Sequence, residues 1–371
     1  MENPVCNVEV IVNPNRKYAN TVNLAFFRAY PLYKNFEIYV EGLKNWKEYK
    51  KNYPDSQIQI FIDKSIEEDE SIMKIIKDLD ARVYVLTCPE YVIHEKYHIG
   101  LFPTLWRFFP CFDIYKHAFK AAHVQELEPA KEDIVWFKYM DYLGKLKYDG
   151  LGLVYRGSNF YSLTHTKQKF ETHIRYPPMF GGRFIVRHQA PFTLLTDFLE
   201  SINKRNKPVN IYKHHKKATE EHGNYNFGVD EAFLNYVFLD WYIDNGFVIG
   251  VYTRFNLYKM LYHTFGRIFY SENNSTTAMN YILHKKQNLS KSIDDFEKMF
   301  KSDLPKEYSE YEKQCARRLF FIIEKYPNWL GPQVSTLVDK VFKNVIFSNC
   351  VIFIKNREIV DVKYFDKVML D

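Results

Sequence analysis

The first 90 residues alternate between apolar runs and amphipathic segments in a way that predicts strand–helix units. Val5–Val12 (VCNVEVIV) alternates and is rich in valine, so a first strand is expected there, stopped by Asn13-Pro14-Asn15. Tyr18–Tyr33 has the spacing of an amphipathic helix, Phe36–Val40 reads as a short strand, and Trp46–Tyr53 as a helix end or loop. Gln57–Ile62 (QIQIFI) alternates cleanly as a strand. Ser65 and Glu67–Glu70 place acid groups where a helix N-terminus favours them, opening a helix that ends near Leu79. Asp78-Leu79-Asp80 precedes the next strand, Arg82–Thr87, and reads as a helix-end turn. Strands alternating with helices predict a parallel α/β sheet.

The stretch Ile99–Pro129 follows. An aromatic, helix-like segment leads through a turn into a short apolar strand that ends in His123-Val124-Gln125-Glu126. Open α/β sheets bind ligands beyond the carboxyl ends of their strands, so this polar cluster is the first place to look for chemistry. Further on, Lys131–Tyr142 and Phe192–Asn203 read as helices, and Gly150–Arg156, Val209–Lys213 and Val248–Thr253 as strands. In Met179–Arg187 (MFGGRFIVR), Gly181 and Gly182 precede an apolar strand and permit close approach of a backbone to a ligand, though a plain turn needs no more. Gly228-Val229-Asp230-Glu231 opens a long aromatic helix, Ala232–Asp244. Capping alone favours carboxylates there, and the same position also faces them to a cleft. The polar loop His263–Asn274 is placed to cover such a cleft.

From about Ser290 the character changes. Ile293–Phe300, Glu307–Tyr326 and Trp329–Phe342 read as charged amphipathic helices, and Asn349–Ile354 with Glu358–Tyr364 as a β-hairpin. A main domain over 1–288 and a mainly helical C-terminal subdomain over 289–371 are expected, the latter a candidate surface for a protein partner.

Composition narrows the function classes. Fifty-one basic against 45 acidic residues leave a net charge of +6, which suits an anionic small ligand but lacks the clustered stripe of a nucleic-acid binder. The basic knot Lys213–Lys217 (KHHKK) is isolated; with the loop from Lys204 and the C-terminal basic helices it carries only a third, nucleic-acid-associated reading. Five scattered cysteines without zinc spacing read as free, mostly buried thiols in a reducing compartment. No signal-like segment and no apolar run of membrane-spanning length occurs, so a soluble intracellular protein is expected. Neither GxGxxG nor GxxxxGK[ST] stands at a strand–helix junction, so a nucleotide would bind without a glycine-rich phosphate cradle.

Three stretches together carry a resemblance. The run from Tyr97 to Asp113 (YHIGLFPTLWRFFPCFD), the segment Gly181-Gly182-Arg183-Phe184, and Tyr225–Asn235 (YNFGVDEAFLN) resemble, in order and spacing, a GT-A-type glycosyltransferase pattern. It is that of the nucleotide-sugar transferase-like proteins of large DNA viruses and bacterial polysaccharide clusters. The match spans roughly residues 5–255. It implies a GT-A-like (Rossmann-like) mixed sheet flanked by helices, and transfer of a sugar from a nucleotide-sugar, UDP-sugar first, to a glycan or protein acceptor. Residue by residue it implies Arg107, His123 and Gln125 at the donor, joined by Arg16 after the first strand. Gly181 and Gly182 fall at the acceptor, and Asp230 or Glu231 at the position of the general base. It also implies a location in the cytoplasm, or in the host cytoplasm or virion for a viral protein.

The chain departs from the family at the metal motif, where His123-Val124-Gln125 stands in place of Asp-x-Asp. Mn²⁺ or Mg²⁺ prefers oxygen ligands, so His123, Gln125 and Glu126 make a weakened site at most. Three mechanisms stay open: Arg107, Arg16 or Lys213 replacing the metal at the diphosphate; a weakly held metal; or a catalytically inactive fold kept for binding or assembly.

Overall fold

The computed structural model describes residues 3–14, 18–30, 36–115, 120–127, 148–155, 179–205, 224–254 and 349–365. The expected helices at 131–142, 293–300, 307–326 and 329–342 lie outside these residues. So do the strand at 209–213, the knot at 213–217, the loop at 263–274, the boundary near 288, and Arg16. The chain divides into two compact units, Met1–Val154 with Lys167–Gly250, and Tyr155–Thr166 with Val251–Asp371.

The first unit is built on a mixed sheet. Its strands are β1 (Asn7–Val12), β2 (Asn20–Phe26), β3 (Ser56–Ile62), β4 (Arg82–Thr87), β7 (Ala121–Gln125), β8 (Leu151–Tyr155) and β9 (Arg183–Val186). They lie in the order β1-β4-β3-β2-β7-β9-β8. β4, β3, β2 and β7 run parallel, while β1 and β9 run against their neighbours. Strand order reverses between β2 and β7, which makes their carboxyl ends a topological switch point. A two-stranded hairpin, β5 (Val92–Ile93) and β6 (Tyr97–His98), stands apart from the sheet.

One face of the sheet is covered by α1 (Phe36–Tyr49) and α3 (Glu70–Asp78), preceded by the short α2 (Lys64–Glu67). Trp46 of α1 is fully buried and donates from Nε1 to the Leu127 carbonyl at 3.1 Å. The other face carries a 3₁₀ stretch, Phe102–Cys111, then α4 (Thr193–Asn203) and a long irregular helix. That helix is α5 (Val229–Phe233), a π turn (Leu234–Phe238) and α6 (Leu239–Asp244), and a strand, β10 (Ile249–Arg254), follows. Phe108, Phe184, Phe233 and Phe238 pack ring to ring between sheet and helices, at centroid separations from 5.6 to 6.3 Å. In the second unit, β11 (Asn349–Lys355) and β12 (Glu358–Phe365) pair antiparallel across Asn356-Arg357, both at positive φ.

Several expectations are corrected. Residues 18–33 were expected as a helix, yet 20–26 form β2, buried along nearly its whole length. β2 lies between two parallel neighbours and is covered on both faces, so its polar positions are interior too. Asn23 is buried and donates from Nδ2 to the His123 carbonyl at 2.9 Å. Residues 36–40, expected as a strand, open α1, where Leu43 and Trp46 face the core at helical spacing. The helix expected over 65–79 is two, each capped by an aspartate side chain that accepts a backbone N–H: Asp63 from Ile66, and Asp69 from Ile72. The cysteines are not all free. Cys6 and Cys88 form a disulfide, because the β1–β4 register, Asn7 opposite Thr87, brings the residues flanking those strands together. No residue of β1 is itself buried, so the buried cysteine pair anchors this edge strand.

Asp63, at the carboxyl end of β3, is fully buried, and its Oδ2 has no hydrogen-bond partner among the described residues. Burial pushes its carboxyl up to about 7, against the hydrogen bonds from Ser65 and Ile66 and the charge of Arg28. Folding thus raises this pKa above its ordinary value of 3.8. The stability linked to it is full below about pH 4 and is lost as pH rises toward 7. Asp63→Asn keeps a capping oxygen and removes the charge. It is expected to match the parent in denaturant unfolding near pH 4 and to exceed it near pH 8; lower stability near pH 8 would contradict the assignment.

Candidate functional site

Arg107 sits in the 3₁₀ stretch Phe102–Cys111, where Pro103 and Pro110 remove amide donors and nearly every side chain is buried. Its guanidinium is therefore carried into the interior, 5.5 Å from the Phe108 ring centroid, with 8% of the side chain exposed. A buried cation needs anionic partners. Nη1 donates to Glu126 Oε2 at 2.7 Å and Nη2 to Asp230 Oδ2 at 2.7 Å. Glu126 stands just past β7, and Asp230 lies in the first turn of α5, entered through Gly228 at a φ of 89°. One guanidinium thus joins the end of a strand to the start of a helix.

The glycine pair lies against this group. A Cβ on Gly181 would collide with Arg107 Nη2 and Asp230 Oδ2, and one on Gly182 with the Glu126 carboxyl. The cause is register: β9 pairs Arg183 with Gln125, which sets Gly182 beside Glu126. Asn235, in the π turn, hydrogen-bonds the backbone of Met179 at the head of the same segment.

The carboxyl groups differ in state. Burial works to raise Asp230, but hydrogen bonds from Glu231 and from Arg107, with the guanidinium charge, outweigh it and hold Asp230 below the usual carboxylate range. Glu231 is pushed well above its usual range, first by burial, then by the Asp230 charge beside it, with Glu126 adding and Arg107 opposing. Asp230 is thus an anchored carboxylate and Glu231 a neighbour that binds its proton more tightly than an ordinary glutamate, the kind of divergence that marks acid–base work.

The structure brings together Arg107, Glu126, Gly181, Gly182, Asp230 and Glu231. It separates His123 and Gln125 from them. Successive strand residues face opposite ways, so these two point to the α1 face and are fully buried. The Gln125 amide donates to the Tyr53 hydroxyl at 2.9 Å, and the His123 ring meets Tyr53 edge-on at 5.9 Å. That separation removes two of the three side chains put forward for a divalent cation. Among the described residues no group of three or more His, Cys, Asp and Glu side chains is placed to hold a metal ion, so the residues present do not fit one. Arg107 is itself committed to two carboxylates rather than open to a diphosphate.

Two residues carried more than their sequence signal showed. Glu126 is one position past the triplet read as the degenerate motif, and strand alternation puts it on the site face with Val124. Asn235 closes the Gly-x-Asp-Glu-x-x-Leu-Asn stretch, where nothing in the spacing reveals its clasp on Met179. Compared with protein families, curated proteins and solved structures, the chain matches none of them.

Gly181→Ala is expected to push apart the Arg107–Asp230 pair, which cannot move aside without losing its partners. A loss of about 3 kcal/mol or more in denaturant unfolding is expected, in the range for disturbing a buried ion pair. A loss under about 0.5 kcal/mol would show that the backbone does not press on the pair.

Proposed function

We propose that the protein transfers a sugar from a nucleotide-sugar to an acceptor hydroxyl, at the carboxyl ends of β2 and β7. One observation carries this reading: Arg107, Glu126, Asp230 and Glu231, drawn from three sequence-distant segments, converge beneath a side-chain-free Gly181-Gly182 backbone beside the switch point. Open α/β sheets place small-molecule chemistry there. The same segments carry the glycosyltransferase resemblance, which adds the substrate class.

The roles follow from the charge states. Asp230 is tied down by Arg107 and is a poor base, so Glu231 is the candidate general base. As the acceptor oxygen attacks the anomeric carbon, its proton passes to the Glu231 carboxylate. The bond from that carbon to the diphosphate oxygen breaks, and the nucleoside diphosphate leaves with the electron pair. Glu126, the most exposed member of the ion-pair group at 38%, faces the bound sugar. The polar edge it offers suits hydroxyl groups. The rival reading is a binding or assembly protein without turnover, favoured by the commitment of Arg107 to carboxylates.

Thermal unfolding against UDP-, GDP-, ADP- and CMP-sugars, with and without Mn²⁺, tests the donor site. A rise with one nucleotide is expected; no rise with any would remove the transferase reading. Where transfer is detected, its rate is expected to climb with pH as Glu231 loses its raised proton. Glu231→Gln lowers it by about 10²–10⁴-fold while the donor-induced rise in melting temperature persists. Asp230→Asn leaves the burial that raises Glu231 but removes the neighbouring charge that adds to it, so the acid limb of the rate profile moves to lower pH. A rate unchanged by Glu231→Gln would reject Glu231 as the base. Donor binding without turnover would favour the rival.

A further inference from the structure

We infer that Asn235 is a positioning residue: by clasping the Met179 peptide it holds the Gly181-Gly182 backbone down as a strap across the Arg107–Asp230–Glu126 ion pairs. The clasp is two-handed. Asn235 Oδ1 accepts from the Met179 N–H at 2.9 Å, and Nδ2 donates to the Met179 carbonyl at 2.9 Å. Nδ2 also donates to the Glu231 carbonyl at 2.8 Å, so one amide links the strap to the turn that carries the carboxyl pair. Asn235 is 1% exposed, and both bonds to Met179 are buried, where a lost partner is costly.

The helix is irregular where the clasp forms. Leu234–Phe238 is a π turn between α5 and α6. Such insertions shift side-chain register and recur at functional sites. Here Asn235 is turned to the strap while Leu234 and Phe238 remain in the core. From Met179 the strap needs only two more residues to reach Gly181, whose missing Cβ lets the backbone lie on Arg107 Nη2 and Asp230 Oδ2. The next residue, Gly182, lies on Glu126 and leads into β9, which the sheet fixes. The strap is therefore pinned at its far end by β9 and at its near end by Asn235. Between these two anchors the strap is held by packing and by Phe180, whose carbonyl accepts from the Arg183 N–H at 3.4 Å and whose ring lies 5.5 Å from the Arg183 guanidinium.

Lifting the strap would admit water to the ion pairs and to Glu231. The groups around Glu231 are Asp230 on its own helix, Arg107 from the 3₁₀ stretch and Glu126 from the end of β7. Water weakens every interaction among them, so a lifted strap has a titration signature as well as a structural one. The inference concerns the same cluster as the transferase reading but needs no substrate, so either can fail without the other.

Asn235→Ala removes the clasp. Hydrogen exchange at Gly181 and Gly182 is expected to speed up roughly tenfold or more, as for losing one or two net hydrogen bonds, while β2 and β3 stay protected. In the same variant, the pH at which Glu231 titrates, followed by carboxyl ¹³C signals assigned with Glu231→Gln, is expected to fall toward that of an ordinary glutamate. Met73→Ala, a core truncation on the opposite face, serves as the control for general destabilisation and is expected to leave the Glu231 titration in place. Should Asn235→Ala fail to fold, Asn235→Asp decides. It keeps an acceptor for the Met179 N–H and loses both donated bonds, so the faster exchange at Gly181 and Gly182 is expected and is the deciding readout there, because a carboxylate at this position would itself raise Glu231. Unchanged exchange at Gly181 and Gly182 together with an unmoved Glu231 titration in folded Asn235→Ala, or unchanged exchange there in Asn235→Asp, would overturn the inference. So would an equal titration shift in Met73→Ala.

Discussion

A guanidinium shared between two carboxylates fixes where three distant stretches of this chain meet. Arg107 is carried inward by an aromatic, proline-bounded 3₁₀ stretch that leaves it little water. Desolvating a cation costs several kcal/mol unless anions replace the water, so the interior must supply them. Glu126 and Asp230 do, from the end of β7 and the start of α5, each at 2.7 Å. The Gly181-Gly182 backbone then closes over the group, with no side chain to hold it off. A cluster of this kind is weak evidence of stability in itself. Its clearer consequence is geometric, because each element is held at a fixed position relative to the other two.

The two faces of β7 divide the labour. On one, His123 and Gln125 join Tyr53 and Trp46 in a polar but buried layer beneath α1. On the other, Val124 packs near the phenylalanine cluster and Glu126 emerges at the sheet edge. An acid group becomes available for chemistry only on the second face, and the Arg107 pairing then sorts the carboxyls there. Asp230 is anchored as an anion, and burial together with that anion raises Glu231 well above the usual carboxylate range. Two neighbouring acids in one helical turn thus acquire different roles from their surroundings, not from their identity.

The strands β3, β4, β8 and β9 could be read from the sequence because their apolar runs are bounded by turns and lie close to the positions seen. β2 and α1 exchanged identities for a physical reason. A strand covered on both faces does not alternate, and the buried Thr21 and Asn23 of β2 imitated the polar stripe of a helix. The aromatic and β-branched start of α1 imitated a strand. The Cys6–Cys88 link spans a separation of 82 residues and depends on an antiparallel β1–β4 pairing that no local pattern reveals. At the site, the glycine pair, Arg107 and the Asp230-Glu231 turn stood out as motifs. Which strand face met them did not, and the face decides between His123 and Glu126. Contacts made by a side chain on a distant backbone, like that of Asn235 on Met179, leave no signature in spacing.

The most direct measurement of this account is the coupling energy between Arg107 and Asp230. A double-mutant cycle with Arg107→Met and Asp230→Leu, read by urea unfolding at neutral pH, isolates it from the losses each change brings alone. The second change is expected to cost far less once the first is made, with a coupling of about 1.5 kcal/mol or more, as for close buried charge pairs. Additivity within about 0.5 kcal/mol would contradict it, and would mean that strand, helix and glycine strap are held together by something other than this ion pair.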